Sequence, residues 1–514
     1  LLLIVGGALA FRLPRLAERP MHCDEAVQAI KAGILAETGD YRYNPQEYHG
    51  PSLYYLSLPS VWLAGGKLAT ATEASFRIVP VLFGVGLVLL VLLVGDGLGR
   101  PAAACAAALT AISPAMVFYS RYYIQEMLLV FFTFAAIATG WRYARTERLA
   151  WALLTGAALA LMHATKETCI IAFGSILAAV FLTELWKEWR HGVKLGVRQI
   201  VNVRHVIAVA AAGGIISILL FSSFLAEPFG PLDSIRAYVH YLNRVGEQSR
   251  HVHPWPYYLK MLLYTKHAPG PWWSEGLIVA LALAGMAAAM LRKEASSLAS
   301  FLAFYTLLVA ITYSIIPYKT PWCMLSFLHG LILLAGIGAA EIVRILPNIP
   351  AKTVACVLLL AGGCNLAGQA YRANFVFHSD NRNPYVYAHP VTDVLNLVER
   401  VEALARIHPD GHDMLIKVIA PDSDYWPLPW YLRRFTRVGY WAELPKEPDA
   451  PVVIAAASLH EALQPNLRDK YQVNYYGLRP HVLLLLYVRV DLWDAFLRAT
   501  QVAQARRRAL PRAQ

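Results

Sequence analysis

Two adjacent carboxylates, Asp24 and Glu25, stand about a dozen residues beyond an apolar run from Leu1 to Leu13. A carboxylate just outside a hydrophobic segment can take a proton from a hydroxyl or an amine at a membrane surface. Other polar residues recur at the ends of later apolar runs: His49, Arg77, Arg121 with Glu126, His163 with Lys166 and Glu167, and Tyr318-Lys319-Thr320-Pro321-Trp322. An ionisable side chain in lipid costs about 2.5 to 3.5 kcal/mol on insertion scales, so such residues face a cavity or a partner. Together they suit an anionic lipid headgroup that carries a sugar. Cations pair with phosphate, aromatic rings cover sugar and isoprenoid, and a carboxylate serves the acceptor.

Each residue also has a plainer use. Asp24 and Glu25 suit the start of a helix at Ala26, where acids favour the helix dipole. Arg121 with Glu126 suits an interfacial ion pair, Lys166-Glu167 suits two helix ends, and His49 and His163 suit hydrogen-bonded structural positions. Lys319 is the hardest to read as a snorkelling lysine, because Pro317 and Pro321 fix the backbone around it.

The elements that must position these residues follow from composition. Hydrophobic residues make up 57% of the 514 and charged residues 16%, and the mean hydropathy is +0.43. That excludes a soluble protein and fits a polytopic membrane protein. The net charge of +12 is read as cytoplasmic loops and lipid headgroups rather than nucleic-acid binding. Six scattered cysteines give neither a disulfide framework nor a zinc-ligand spacing. Two adjacent acids leave a divalent metal undecided. Leu1 to Ala10 are too few for a spanning helix of about 20 residues, so a trimmed N-terminus is expected.

Further spans are expected at 75–95, 101–119, 127–143, 149–164, 168–186, 205–225, 273–291, 297–316, 322–343 and 352–371, about eleven with the first. The run 53–66 is too short to cross and is placed along the interface. Alternate loops then carry the basic excess: Arg142, Arg145 and Arg148; Lys187, Arg190, Lys194, Arg198 and Arg204; Arg292 and Lys293; and Arg344 with Lys352. By the positive-inside rule these loops are cytoplasmic. The loop 14–74, the polar cluster and everything after 371 are then outside. Residues 372–514 read as a small soluble α/β domain, with a helix pattern at 391–407 and strand-like runs at 414–420, 452–456 and 482–490. Its segment from Asp422 to Trp430 suits either a sugar-stacking surface or a loop that docks the domain. Arg506 to Arg512 is expected to be a solvated helix end.

In order and sidedness these motifs resemble the integral-membrane glycosyltransferases of the GT-C fold, the group with protein O-mannosyltransferases and the aminoarabinose transferase of lipid A. The chain is most similar to a prokaryotic branch of flippase activity-associated proteins. The resemblance rests on Asp24-Glu25 in the first outer loop, Gly50-Pro51-Ser52-Leu53-Tyr54-Tyr55, Ser75-Phe76-Arg77-Ile78-Val79-Pro80, and Arg121 with Glu126; Lys166-Glu167-Thr168 and Tyr318 to Trp322 point to the narrower branch. It implies about 11 spans in a domain 1–371, an extracytoplasmic domain 372–514, and location in the cytoplasmic membrane. The implied reaction is inverting transfer of a sugar from a polyprenyl-phosphate donor to a protein, lipid or glycan acceptor outside. Asp24 would be the general base with Glu25 beside it. Arg77, Arg121, Lys166, Lys319 and His49 would meet the donor phosphate, and Glu126, Glu167, Tyr54, Tyr318, Trp322 and His163 would support them. A lysine usual before the proline pair is replaced by His49-Gly50, and the second proline by Ser52. The alternatives are a flippase component, which would place its ionisable residues near mid-bilayer, or an envelope scaffold that does not need Asp24.

Overall fold

The computed structural model describes all residues except 47–48, 193–201, 245–250, 268, 293 and 510–514. Lys194, Arg198, Lys293 and Arg512 lie outside the described residues. In chain order the longer helices among the described residues begin with α1 (Leu2–Arg12), α2 (Cys23–Thr38), α3 (Ser52–Leu63), α4 (Glu73–Leu90), α5 (Arg100–Ile112), α6 (Pro114–Ser120), α7 (Glu126–Thr146), α8 (Leu149–His163), α9 (Cys169–His191), α10 (Val203–Phe221) and α11 (Gly230–Arg244). Four more complete the bundle: α12 (Gly276–Leu291), α13 (Ser297–Ile315), α14 (Leu325–Ile345) and α15 (Ile349–Tyr371).

Every position expected to span holds a helix. Among the described residues seven helices are long and apolar enough to cross a membrane, or eight if the bent pair α5 and α6 counts as one span. The remaining three, α1, α8 and α12, are apolar but shorter. The bend of 58° falls where Pro114 drives Ser113 out of helical geometry. The amide of Ala115, left without a helical partner, donates to the Glu275 carboxylate at 2.8 Å, as does the Ser113 hydroxyl. This break turns the chain so that Arg121, Tyr122 and Tyr123 reach the loop after α1. Helix α3 has 12 residues, about 18 Å of rise against about 30 Å of hydrocarbon. It is therefore shorter than the hydrocarbon thickness.

The basic loops gather at one end of the bundle. Arg142 pairs with Asp96 at 3.0 Å, Arg190 donates to the carbonyls of Met290 and Leu291, and Arg292 and Arg344 both pair with Glu341. The polar cluster lies at the other end.

The C-terminal sheet has strands β1 (Ile416–Ile419), β2 (Val438–Trp441), β3 (Val452–Ala456), β4 (Tyr471–Arg479) and β5 (Val482–Arg489), in the order β2-β1-β3-β5-β4. The first three are parallel; β5 runs antiparallel to both β3 and β4. The helices Asp393–Ala405 and Val490–Ala509 complete the domain. Its expected helix and three strands are present, and β2 and β4 are additional. Trp430 is buried and decides the role of its own segment: it donates to Glu73 and meets Phe76 edge-on, while Arg433 donates to the carbonyls of Leu68 and Ala71. That stretch docks the domain on the first loop.

Candidate functional site

The first loop is built around Glu25 rather than Asp24. Helix α2 begins with His22 as N-cap, and Glu25 at the third position accepts a hydrogen bond from the His22 amide, a reciprocal cap. The fully buried Glu25 carboxylate also accepts two N–H bonds from Arg77 at 2.7 Å and one from the Tyr123 amide at 2.9 Å. Burial alone pushes this carboxyl up, but Arg77 and Arg19 outweigh it and carry it down to about 2. Glu25, expected in catalysis, is here an ion-paired cap that does not line the cavity. Arg77, expected at the donor phosphate, is engaged with it. Its remaining N–H groups serve the carbonyls of Leu16, Arg19 and Pro20, leaving none directed at a phosphate.

Two further cations are spent in the same way. Arg121 donates to the carbonyls of Phe11, Arg12, Pro14 and Arg15, the groups orphaned where α1 ends. Lys319 is buried, and its ammonium donates to the carbonyls of His253, at 3.0 Å, and Ile316. Burial holds that ammonium below its ordinary value. Neither lines the cavity where the other polar residues meet.

That cavity encloses about 530 Å³ and is lined by Asp24, Gln28, His49, Gln125, Glu126, Lys166, Glu167, Thr168, Tyr238, Tyr313, Tyr318, Thr320, Trp322 and Cys323, with apolar residues between. The Asp24 carboxyl is 46% exposed. Its backbone amide donates to Nδ1 of His22, whose Nε2 donates to the Tyr387 carbonyl at 3.1 Å. Burial holds this imidazole below its ordinary value, so it acts as a neutral brace for the start of α2. Lys166 is ion-paired to Glu126, and His49 to Glu167 at 2.7 Å. Burial raises the Glu167 carboxyl, but the charge of His49 prevails and holds it below the usual range.

His49 arrives through a close backbone approach. A Cβ at Gly50 would stand 2.2 Å from the Ala164 carbonyl oxygen, to which the Ser52 amide donates at 2.9 Å. Glycine is the residue that fits where two backbones touch. Tyr54 and His163 stand behind the wall: the Tyr54 hydroxyl donates to Gln28, and His163 stacks on Tyr238 and bonds its hydroxyl at 2.7 Å. Sequence reasoning missed Gln28, Tyr238 and Tyr313. Gln28 was within reach of it, lying four residues after Asp24 on the same helix face. Tyr238 comes from α11, in a stretch expected to be outer loop.

The cavity carries three carboxylates, Asp24, Glu126 and Glu167, against Lys166 and His49. Carboxylates accept hydrogen bonds from sugar hydroxyls, and tyrosine and tryptophan faces cover sugar rings. His22, Cys23 and Asp24 offer three ligand atoms within 4.8 Å of one another. Both ring nitrogens of His22 are already engaged, and burial raises the Cys23 thiol well above its ordinary range, so this trio does not fit a metal as it stands.

The bundle, its first loop and the aromatic cavity, together with a small sheet domain, give the fold of a polytopic membrane protein. A family model described as dolichyl-phosphate-mannose-protein mannosyltransferase matches residues 57–226. ArnT from Cupriavidus metallidurans in its apo state shares the fold with a TM-score of 0.65 at 17% identity, over 96% of this chain and 98% of that one. The same protein bound to undecaprenyl phosphate gives 0.64 at 16%, over 94% and 97%. The oligosaccharyltransferase AglB from Archaeoglobus fulgidus, in complex with an inhibitory peptide and a dolichol-phosphate, gives 0.58 at 12%, over 96% and 76%. No curated protein matches the chain.

Proposed function

We propose that the chain transfers a sugar from a polyprenyl-phosphate donor to an acceptor on the extracytoplasmic side of the cytoplasmic membrane, with inversion and with Asp24 as general base. The observation that carries this reading is the cavity itself, where a half-exposed carboxylate, a lysine and a cluster of aromatic side chains share one wall at the end of the bundle away from the basic loops. The family match supports a polyprenyl-phosphate sugar, and the fold relatives bound to undecaprenyl phosphate and dolichol-phosphate support a lipid phosphate. Lys166-Glu167-Thr168 and the Tyr318, Thr320 and Trp322 side chains, which carry the narrower likeness to flippase-associated proteins, all line this cavity.

In the reaction the acceptor atom attacks the anomeric carbon as Asp24 takes its proton. The glycosidic electron pair leaves with the polyprenyl phosphate, and Lys166 meets the charge that grows on its oxygen. The test is complementation at matched membrane levels in a host from which the gene is deleted. The intact gene restores the missing envelope glycan; Asp24→Asn lowers transfer at least about a hundredfold and lets the lipid-linked donor accumulate. Equal restoration by both genes overturns the role of Asp24 and favours the flippase or scaffold reading.

A further inference from the structure

A second cavity opens on the other side of Tyr43. It encloses about 650 Å³ and is walled by Lys31 from α2, Arg42 and Tyr43 from the first loop, and Asp233, Arg236 and His240 from α11. Among the described residues two arginines, a lysine that has a partner of its own and a histidine line it with one carboxylate. Arg236 pairs with Asp233 at 3.0 Å and Arg42 with Glu227 at 3.7 Å, each joining an exposed guanidinium to a partly buried carboxylate. Exposed pairs are worth about 0 to 1 kcal/mol, so both guanidinium groups can turn to a better anion.

Helix α11 shows where this cavity stands relative to lipid. Leu232, Ile235 and Val239, spaced i, i+3 and i+7, form one exposed apolar stripe. Asp233, Arg236 and His240, each one residue later, form the next face and line the cavity. Ser234 and Ala237 are buried against the bundle. An amphipathic helix with an outward apolar stripe beside a basic face lies at the level of lipid headgroups. The adjoining turn carries Phe224, Leu225 and Phe229, also exposed. The cavity is thus bounded by apolar surface on its lipid side and by cations within.

We propose that this second cavity seats the phosphate of an anionic lipid, with Arg42 and Arg236 around the phosphate and the acyl chains along Leu232, Ile235 and Val239. The seat adjoins the reaction cavity through one side chain: Tyr43 lines the second cavity and its hydroxyl donates to Glu167, which lines the first. A lipid held there therefore lies against the wall of the site at which sugar transfer is proposed.

The test measures binding alone and stands whether or not transfer occurs. Full-length protein in neutral detergent is titrated with phosphatidylglycerol, phosphatidylcholine or inorganic phosphate, and lipid retention is read by native mass spectrometry with thermal unfolding alongside. Wild type retains phosphatidylglycerol preferentially. Arg42→Gln/Arg236→Gln, which alters two exposed side chains, lowers that retention by roughly twentyfold, and Arg42→Lys/Arg236→Lys largely restores it. A control that removes charge elsewhere on the exposed surface, Arg437→Gln, leaves it unchanged. Equal retention by wild type and the double glutamine variant, or loss in the control as large as in the double variant, overturns the site. Stabilisation by inorganic phosphate equal to that by phosphatidylglycerol overturns the assignment to lipid.

Discussion

Replacing Glu25 by glutamine separates two neighbouring acids that differ in sequence by one position and in structure by their surroundings. Glu25 is buried and receives N–H bonds from Arg77, Tyr123 and His22. Its carboxyl sits at about 2 against a reference of 4.5, a gap worth about 3 kcal/mol of stability at neutral pH. Loss of one partner from a buried ion pair costs a similar amount, about 3 to 5 kcal/mol. Because the folded-state value is depressed, this stability is complete above the ordinary carboxyl range and is lost as pH falls through about 2. Thermal unfolding in detergent micelles, followed by tryptophan fluorescence, should therefore show Glu25→Gln well below wild type from neutral pH down to about 4.5. The gap should narrow below that and close near pH 2. Asp24→Asn, at a half-exposed position, should keep the wild-type midpoint and lose turnover. A Glu25→Gln protein with a wild-type midpoint and no turnover would refute the buried-pair reasoning and return Glu25 to the chemistry.

Two further substitutions probe the cavity wall. Lys166→Gln should lower kcat/KM for the lipid-linked donor by roughly ten- to a hundredfold, the weight of a charged hydrogen bond, whereas Lys319→Gln should change it less than about threefold and act on the thermal midpoint; the reverse ranking would contradict their placement. Gly50→Ala should force the first loop off the Ala164 carbonyl at a cost of about 1 to 3 kcal/mol and separate His49 from Glu167, seen as faster proteolysis of the loop, while unchanged proteolysis would contradict the close approach.

Much of the bundle was legible because hydrophobic periodicity and run length are properties of contiguous residues. The helix positions, the short helix Ser52–Leu63 and the gathering of Lys166, Glu167, Tyr318 and Trp322 at one end follow from that. Azimuth does not. Arg77, Arg121 and Lys319 share the right end of the bundle with the cavity, yet each turns toward backbone carbonyls, because an irregular loop at a membrane edge leaves acceptors that need donors. No local pattern distinguishes an arginine that meets backbone from one that meets phosphate. The strand Val438–Trp441 was missed for a related reason. It is four residues long, includes Gly439, and is only partly buried, so it lacks the apolar run that marked its neighbours. Tyr471–Arg479 at the opposite edge mixes Gln, Asn and Gly into its sequence.

The bracing of α2 sets an order of events during biosynthesis. Met21 donates its amide to the hydroxyl of Tyr431, 410 residues later, and His22 leans on the carbonyl of Tyr387, 365 residues later. Asp24 leaves the ribosome well before Tyr387 and Tyr431, so that two of the groups that brace the start of its helix come only after the whole bundle has been threaded. A partly inserted chain therefore possesses the carboxylate without its support. Lipid-linked sugar that meets such a chain finds no finished cavity, and a truncation that spares every span but removes the C-terminal domain should leave the first loop unanchored.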